Sequence, residues 1–160
     1  MIRNIAILAA LSRRTRIGVA WRATVTVPEM AESFARHELR PHSALWDREE
    51  YLQRTTLSAL GDLGFGGIYT REEYGGSGLG RLDAALIFEQ LSRGDISHAA
   101  FLSIHNMATW MIDQFGNDSL RAKYVSRLTA TELIASYCLT EPGAGSDAAS
   151  LRMTAKRDGA

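Results

Sequence analysis

The chain has 160 residues, of which 46% are hydrophobic and 22% charged, and its formal net charge is zero. That is enough apolar chain for one domain with a core, and a single cysteine, Cys138, excludes an internal disulfide. Charge is unevenly spread. Arg3, Arg13, Arg14, Arg16 and Arg22 meet no acid in residues 1–28, which leaves 13 bases against 18 acids, a net −5, in residues 29–160. An acidic body offers no electrostatic case for nucleic-acid binding.

In chain order, Ile5 to Leu11 is an apolar run of seven, far too short to span a bilayer. No small-residue cleavage site clearly follows it, as a secretory signal requires. Two readings of residues 1–27 stand. Arginines without acids resemble a mitochondrial transit peptide, and the alternative is a poorly ordered, atypical extension.

From Pro28 the period is helical. Pro28 suits a first helical position. Met30, Ala31, Phe34, Ala35 and Leu39 recur at three- and four-residue spacing, and Pro41 ends the run. A second helix is expected over 47–63, with Leu57, Leu60 and Leu63 on its apolar side and Gly64 as its stop. Gly64-Phe65-Gly66-Gly67 and Gly75-Gly76-Ser77-Gly78-Leu79-Gly80 bracket a short non-helical link; no Lys-Ser/Thr pair makes either a P-loop. Helix resumes over 81–93, with Gly94 as its C′ residue. Asp95 or Ser97 caps a helix to about Phe115 that is apolar nearly all round and therefore expected in the core. Asn117 caps a fifth helix, to Leu128.

Strand chemistry takes over near Ile134. Tyr137, Cys138, Leu139 and Thr140 fit a pleated, half-buried surface, so Cys138 is expected to be buried. Pro142 stops the ladder, and Gly143 and Gly145 permit close backbone approach to a ligand. Leu151 to Lys156 alternates as a second strand. Gly143-Ala144-Gly145-Ser146-Asp147-Ala148 formally matches the dinucleotide fingerprint, but a loop between strands is not the strand-to-helix turn that fingerprint needs. His37, His42, His98 and His105 show no metal-ligand spacing, and no metal site is expected. His105, within the apolar helix, reads as a hydrogen-bonded core or pocket-edge residue. Ser77 lacks hydrolase-elbow spacing.

The stretch Tyr137 to Asp147 resembles the flavin-contacting segment of the acyl-CoA dehydrogenases. Leu63 to Tyr69, Tyr74 to Gly78, Ser103 to Met107 and Phe115 to Asn117 extend the resemblance, in particular to short branched-chain, isobutyryl-CoA-type members. Together these matches cover about residues 29–156. The resemblance implies a mainly α fold, a helical N-terminal domain (28–132) followed by the first strands of a truncated β-domain (133–160). It implies FAD as cofactor, with Tyr137, Cys138, Leu139, Thr140, Glu141, Pro142, Gly143, Ala144, Gly145 and Ser146 as its contacts. Thr140 is the side-chain candidate near the ring, and Ser146 also the candidate contact for the CoA portion of substrate.

The implied reaction is α,β-dehydrogenation of a short acyl-CoA, straight or branched. A carboxylate base takes the α-proton and flavin N5 accepts the β-hydride. The family's base Glu comes from a later helical domain, so no residue here, Glu141 included, is expected to be catalytic. Implied partners are an acyl-CoA, an electron-transfer flavoprotein and, in intact members, further copies of the chain. The implied location is the cytoplasm in a bacterium, or the mitochondrial matrix if residues 1–27 are a transit peptide. The alternative from another class is a non-catalytic helical domain or interaction module built on this fold.

Overall fold

The computed structural model describes residues 26–156. The arginine-bearing stretch of residues 1–25 lies outside the described residues. Helix α1 (Val27–Phe34) begins where the Glu29 carboxylate accepts the Thr26 N–H at 2.6 Å, with Pro28 in its first turn. It runs on through a π-helical turn, Ala35–Leu39. Then come α2 (Ser43–Arg48), α3 (Arg54–Asp62), α4 (Arg81–Ser92) and α5 (Ile96–Phe115). Helix α6 spans 118–129 as Asp118–Leu120, a π-helical turn Arg121–Val125, and Ser126–Thr129.

The local signals behave as expected. Asp95 accepts the His98 N–H at 2.7 Å and Asn117 accepts the Leu120 N–H at 2.9 Å, each satisfying an orphan donor at a helix start. Gly64 follows α3 with φ of 84°, a left-handed stop that glycine adopts without steric cost. The helix expected over 47–63 is instead two helices. Glu50 turns left-handed (φ 51°) and the Tyr51 N–H reaches back to the Trp46 carbonyl at 3.0 Å. The break lets α2 seat Trp46 against the buried His98 ring, centroids 4.6 Å apart. Tertiary packing sets this end on a residue with no turn propensity of its own.

Helix α1 packs on α4, and α4 on α5. Leu39, Leu60, Ile68, Ile87, Leu91 and Leu102 are fully enclosed, each stabilising the fold by about 1.5–3 kcal/mol. Gly94, between α4 and α5, lets the π-helical turn of α1 come close: a Cβ there would lie 2.6 Å from the Ala35 carbonyl oxygen.

Helix α5 departs from its expected role. Its buried stripe is largely polar: His98, Leu102, His105, Asn106, Thr109 and Asp113 point inward at three- and four-residue spacing. Ile104 and Phe115 are exposed, and Trp110 is half-buried. The Arg81 guanidinium lies over the rings of Tyr69 (3.9 Å) and Trp110 (4.5 Å), covering apolar surface while its charge stays wet. A helix that is apolar all round does not have to bury all of itself in one domain. Among the described residues, no helix is long and apolar enough to cross a membrane.

The fold is mainly helical, as expected. The strands expected at Tyr137–Thr140 and Leu151–Lys156 form no ladder among the described residues; a single bridge pairs Glu141 with Ala144. Strand propensity becomes a strand only where a partner supplies the other half of the hydrogen bonds. For the same reason Cys138, expected to be buried, is exposed.

Candidate functional site

Adjacent residues of α5 organise the region from which the segment after α6 departs. Asn106 is fully enclosed. Its Oδ1 accepts the Ile68 N–H at 2.7 Å, and its Nδ2 donates to the Phe65 carbonyl at 2.8 Å and the Leu102 carbonyl at 2.9 Å. One side-chain amide thus holds both ends of the Phe65–Ile68 turn. His105, equally enclosed, faces the other way. Its Nδ1 lies 3.1 Å from the Ala135 N–H and its Nε2 3.0 Å from the Leu128 carbonyl. A backbone N–H only donates and a carbonyl only accepts, so Nδ1 is bare and Nε2 carries the proton. Burial pushes the imidazole below its ordinary 6.5, with the Arg54 charge acting in the same direction. His105 is therefore the hydrogen-bonded core residue anticipated from its setting.

The glycines around Phe65 form the seat for residues 129–131. A Cβ on Gly66 would lie 2.3 Å from the Thr129 carbonyl oxygen, one on Gly67 2.5 Å from Thr129 Cγ2, and one on Gly61 2.4 Å from Thr131 Oγ1. Thr131 is held left-handed at φ 56°, strained for a β-branched residue by about 1–2 kcal/mol. Its Oγ1 donates to the Leu57 carbonyl at 3.2 Å, and Arg54 donates to the carbonyls of Thr131 (3.0 Å) and Glu132 (2.9 Å). Thr129 Oγ1 bonds to the Tyr74 carbonyl at 2.8 Å. Gly66→Ala is expected to destabilise the protein by about 1–3 kcal/mol, because the obstruction is backbone and cannot rotate away. Gly143→Ala is expected to change stability by less than about 0.5 kcal/mol, since no atom of the described residues lies within 4 Å of a Cβ there. Urea unfolding of the two variants measures the contrast.

Beyond this joint, Tyr137, Cys138 and Thr140 are exposed and Leu139 is half-buried. Glu141 and Ala144 exchange backbone bonds of 2.9 and 3.1 Å across Pro142-Gly143, with Pro142 presetting the turn. Ala144 is buried, whereas Pro142, Gly143, Gly145 and Ser146 are exposed. The Glu141 carboxylate accepts the Arg152 and Met153 N–H groups, both at 2.9 Å, and ties the loop at its base. Asp147 accepts from the Ser150 hydroxyl. Both carboxylates thus accept from donors within their own loop. Gly143 and Gly145 are the two described glycines with neither a positive φ nor a neighbour within 4 Å.

A third inward residue of α5, Asp113, accepts from Arg71 Nε at 2.8 Å and Nη2 at 2.7 Å. Burial raises its carboxyl and the Arg71 bonds outweigh that, holding it below the usual range. The pair fixes the Glu72–Tyr74 turn beside the joint. Among the described residues no group of three or more His, Cys, Asp or Glu gathers in a way that would hold a metal ion.

Residues 24–132 match the acyl-CoA dehydrogenase N-terminal domain. The chain is 47% identical over 156 residues to mitochondrial isobutyryl-CoA dehydrogenase of Dictyostelium discoideum, covering 93% of this chain and 38% of that protein. It is 48% identical over 129 residues to the mitochondrial isobutyryl-CoA dehydrogenase of Bos taurus, covering 81% of this chain and 31% of that one. Its fold matches a crystal structure of a glutaryl-CoA dehydrogenase from Mycobacterium smegmatis in complex with FADH2. The TM-score is 0.76 at 27% identity, over 82% of this chain and 34% of that one. The chain thus spans about a third of the length of these relatives. With the matched domain covering more than half of it, the chain belongs to the acyl-CoA dehydrogenase family, whose members are flavoprotein oxidoreductases.

Proposed function

We propose that this chain is the helical part and the start of the flavin-contacting part of an isobutyryl-CoA-type dehydrogenase. In this reading residues 28–132 are the helical domain and 133–160 open a β-domain. The observation that carries it is the pair Gly143 and Gly145, whose missing side chains no contact among the described residues explains. Glycine at such positions costs backbone entropy, and close approach of a flat, polar group from outside accounts for it. Tyr137 to Ser146 is a rooted segment with mostly exposed side chains that fits this role. FAD, when bound, would accept the β-hydride of an acyl thioester.

The chain's own residues would bind and orient. Thr140 offers a hydroxyl toward the ring and Ser146 one toward the CoA portion, and the exposed side of α5, with Ile104 and the half-buried Met107, would wall the acyl group. The working substrate would be a short acyl-CoA, straight or branched; the electron acceptor, an electron-transfer flavoprotein; the assembled form, a homo-oligomer. The working location would be the cytoplasm in a bacterium, or the mitochondrial matrix if residues 1–27 act as a transit peptide.

The test is a chimera of this chain followed by the remaining two thirds of the Bos taurus relative. The purified chimera is expected to carry a flavin absorbance that bleaches on adding isobutyryl-CoA. A colourless chimera that folds and takes up no added FAD would sink the proposal and favour a non-catalytic helical module.

A further inference from the structure

We propose that His105 is a positioning residue for the Tyr137–Ser146 segment, acting through the bond its bare Nδ1 accepts from the Ala135 N–H. The importance of that segment for flavin rests on the reading above; the anchoring does not.

The geometry leaves little redundancy. Residues up to Glu132 are held by the glycine seat, Arg54 and Thr131. Beyond Ile134, the bridge at Glu141 and Ala144 and the Glu141 bonds to residues 152 and 153 tie the loop to itself rather than to the helices. Ile134 packs against the core. Among the described residues, the Ala135 N–H bond to His105 is the last side-chain hydrogen bond between the helical body and the segment before Tyr137. It lies two residues before the first proposed flavin contact, so it sets the direction in which that contact leaves. Its partner atom cannot drift, because Nε2 is tied to Leu128 and the Thr109 hydroxyl bonds to the His105 carbonyl at 2.7 Å.

The arrangement is tied to one protonation state. A proton on Nδ1 turns the acceptor into a donor facing the Ala135 N–H, and the anchor is lost. The charged group acting on the ring is Arg54 of α3, which opposes protonation. Glu132 and Arg127, from the exit segment and α6, are exposed and approach each other at 3.4 Å. Phe65–Gly67 brings no charge. Because burial lowers the folded pKa below 6.5, the unfolded chain binds the proton first as pH falls. The contribution is full above about pH 6.5 and declines as pH drops toward the folded value.

Two substitutions separate the two ring nitrogens. Asn places an amide oxygen near Nδ1 and keeps an acceptor for Ala135. Gln reaches toward Nε2, keeping the Leu128 bond and losing that acceptor. The readout, on the 160-residue chain, is hydrogen exchange of the Ala135 amide, whose N–H the anchor holds. His105→Gln is expected to speed this exchange roughly tenfold, the effect of one lost buried hydrogen bond, while His105→Asn stays within about threefold of the parent. The parent is expected to move toward the His105→Gln behaviour as pH is lowered below 6.5, after correction for intrinsic rates. Equal acceleration in both variants would mean a general packing role and overturn the proposal, as would no change in either. This readout needs no flavin, so it succeeds or fails independently of the chimera. In the chimera, His105→Gln is expected to release FAD about tenfold faster than His105→Asn, and equal release would overturn the link to flavin.

Discussion

Asn106→Leu is expected to destabilise the protein by about 2–5 kcal/mol. The substitution is close in volume, so packing changes little, but it orphans two enclosed backbone groups. The Ile68 N–H loses its acceptor and the Phe65 carbonyl its donor. Each buried, unsatisfied group costs about 1–3 kcal/mol. The Leu102 carbonyl, also released, keeps its place in the helix ladder and adds less. Against a total stability of about 5–15 kcal/mol for a domain, this loss is a large fraction. Urea unfolding is the measurement, read as a lower midpoint with little change in slope. A loss under about 1 kcal/mol would mean that the Phe65–Ile68 turn is held by its glycines and by Ile68 in the core, and that Asn106 merely accompanies it. The consequence reaches further than stability. Gly66 and Gly67 in that turn seat Thr129, so a turn that opens disturbs the joint from which the proposed flavin-contacting segment leaves.

What could be read in advance divides along the range of the interactions. The helix ends at Asp95, Asn117 and Gly64 were legible because each is a bond or a dihedral within four residues of itself. The break between α2 and α3 was not, because Glu50 adopts its left-handed turn to seat Trp46 against a histidine 52 positions later. Helix α5 misled in a particular way. Its period announced a helix, but its apolar residues outnumber what one domain can bury, and its core-facing stripe is chosen by hydrogen bonding. His105 and Asn106 find partners 23 to 41 residues away, and no local pattern encodes such a bond. The loop at Tyr137–Ser146 was legible as chemistry and not as structure. Its residues have strand propensity, but propensity supplies no partner, and the described chain pairs only Glu141 with Ala144.

The 160-residue polypeptide on its own is expected to bind FAD weakly or not at all and to oxidise no acyl-CoA. Flavin binding in this family reading needs walls on both faces of the ring, and the described residues offer one exposed segment and the open side of α5. Proton abstraction needs a carboxylate within about 3 Å of the substrate proton, directly or through one water. The carboxylates nearest the segment are engaged: Glu141 holds the Arg152 and Met153 N–H groups, Asp147 holds Ser150, and Glu132 approaches Arg127. Freeing Glu141 would untie the loop that presents Gly143 and Gly145. Absence of a general base alone lowers the rate about 10²–10⁴-fold, before weak flavin binding is counted. The measurement is the visible spectrum of the polypeptide mixed with FAD, followed by dye reduction with isobutyryl-CoA, beside the chimera under the same conditions. Expected are free-flavin absorbance and no bleaching from the polypeptide, and bleaching from the chimera. Bleaching by the polypeptide alone would overturn the prediction. It would assign the base to Glu132, Glu141 or Asp147, and replacing each by its amide would show which one has a second role.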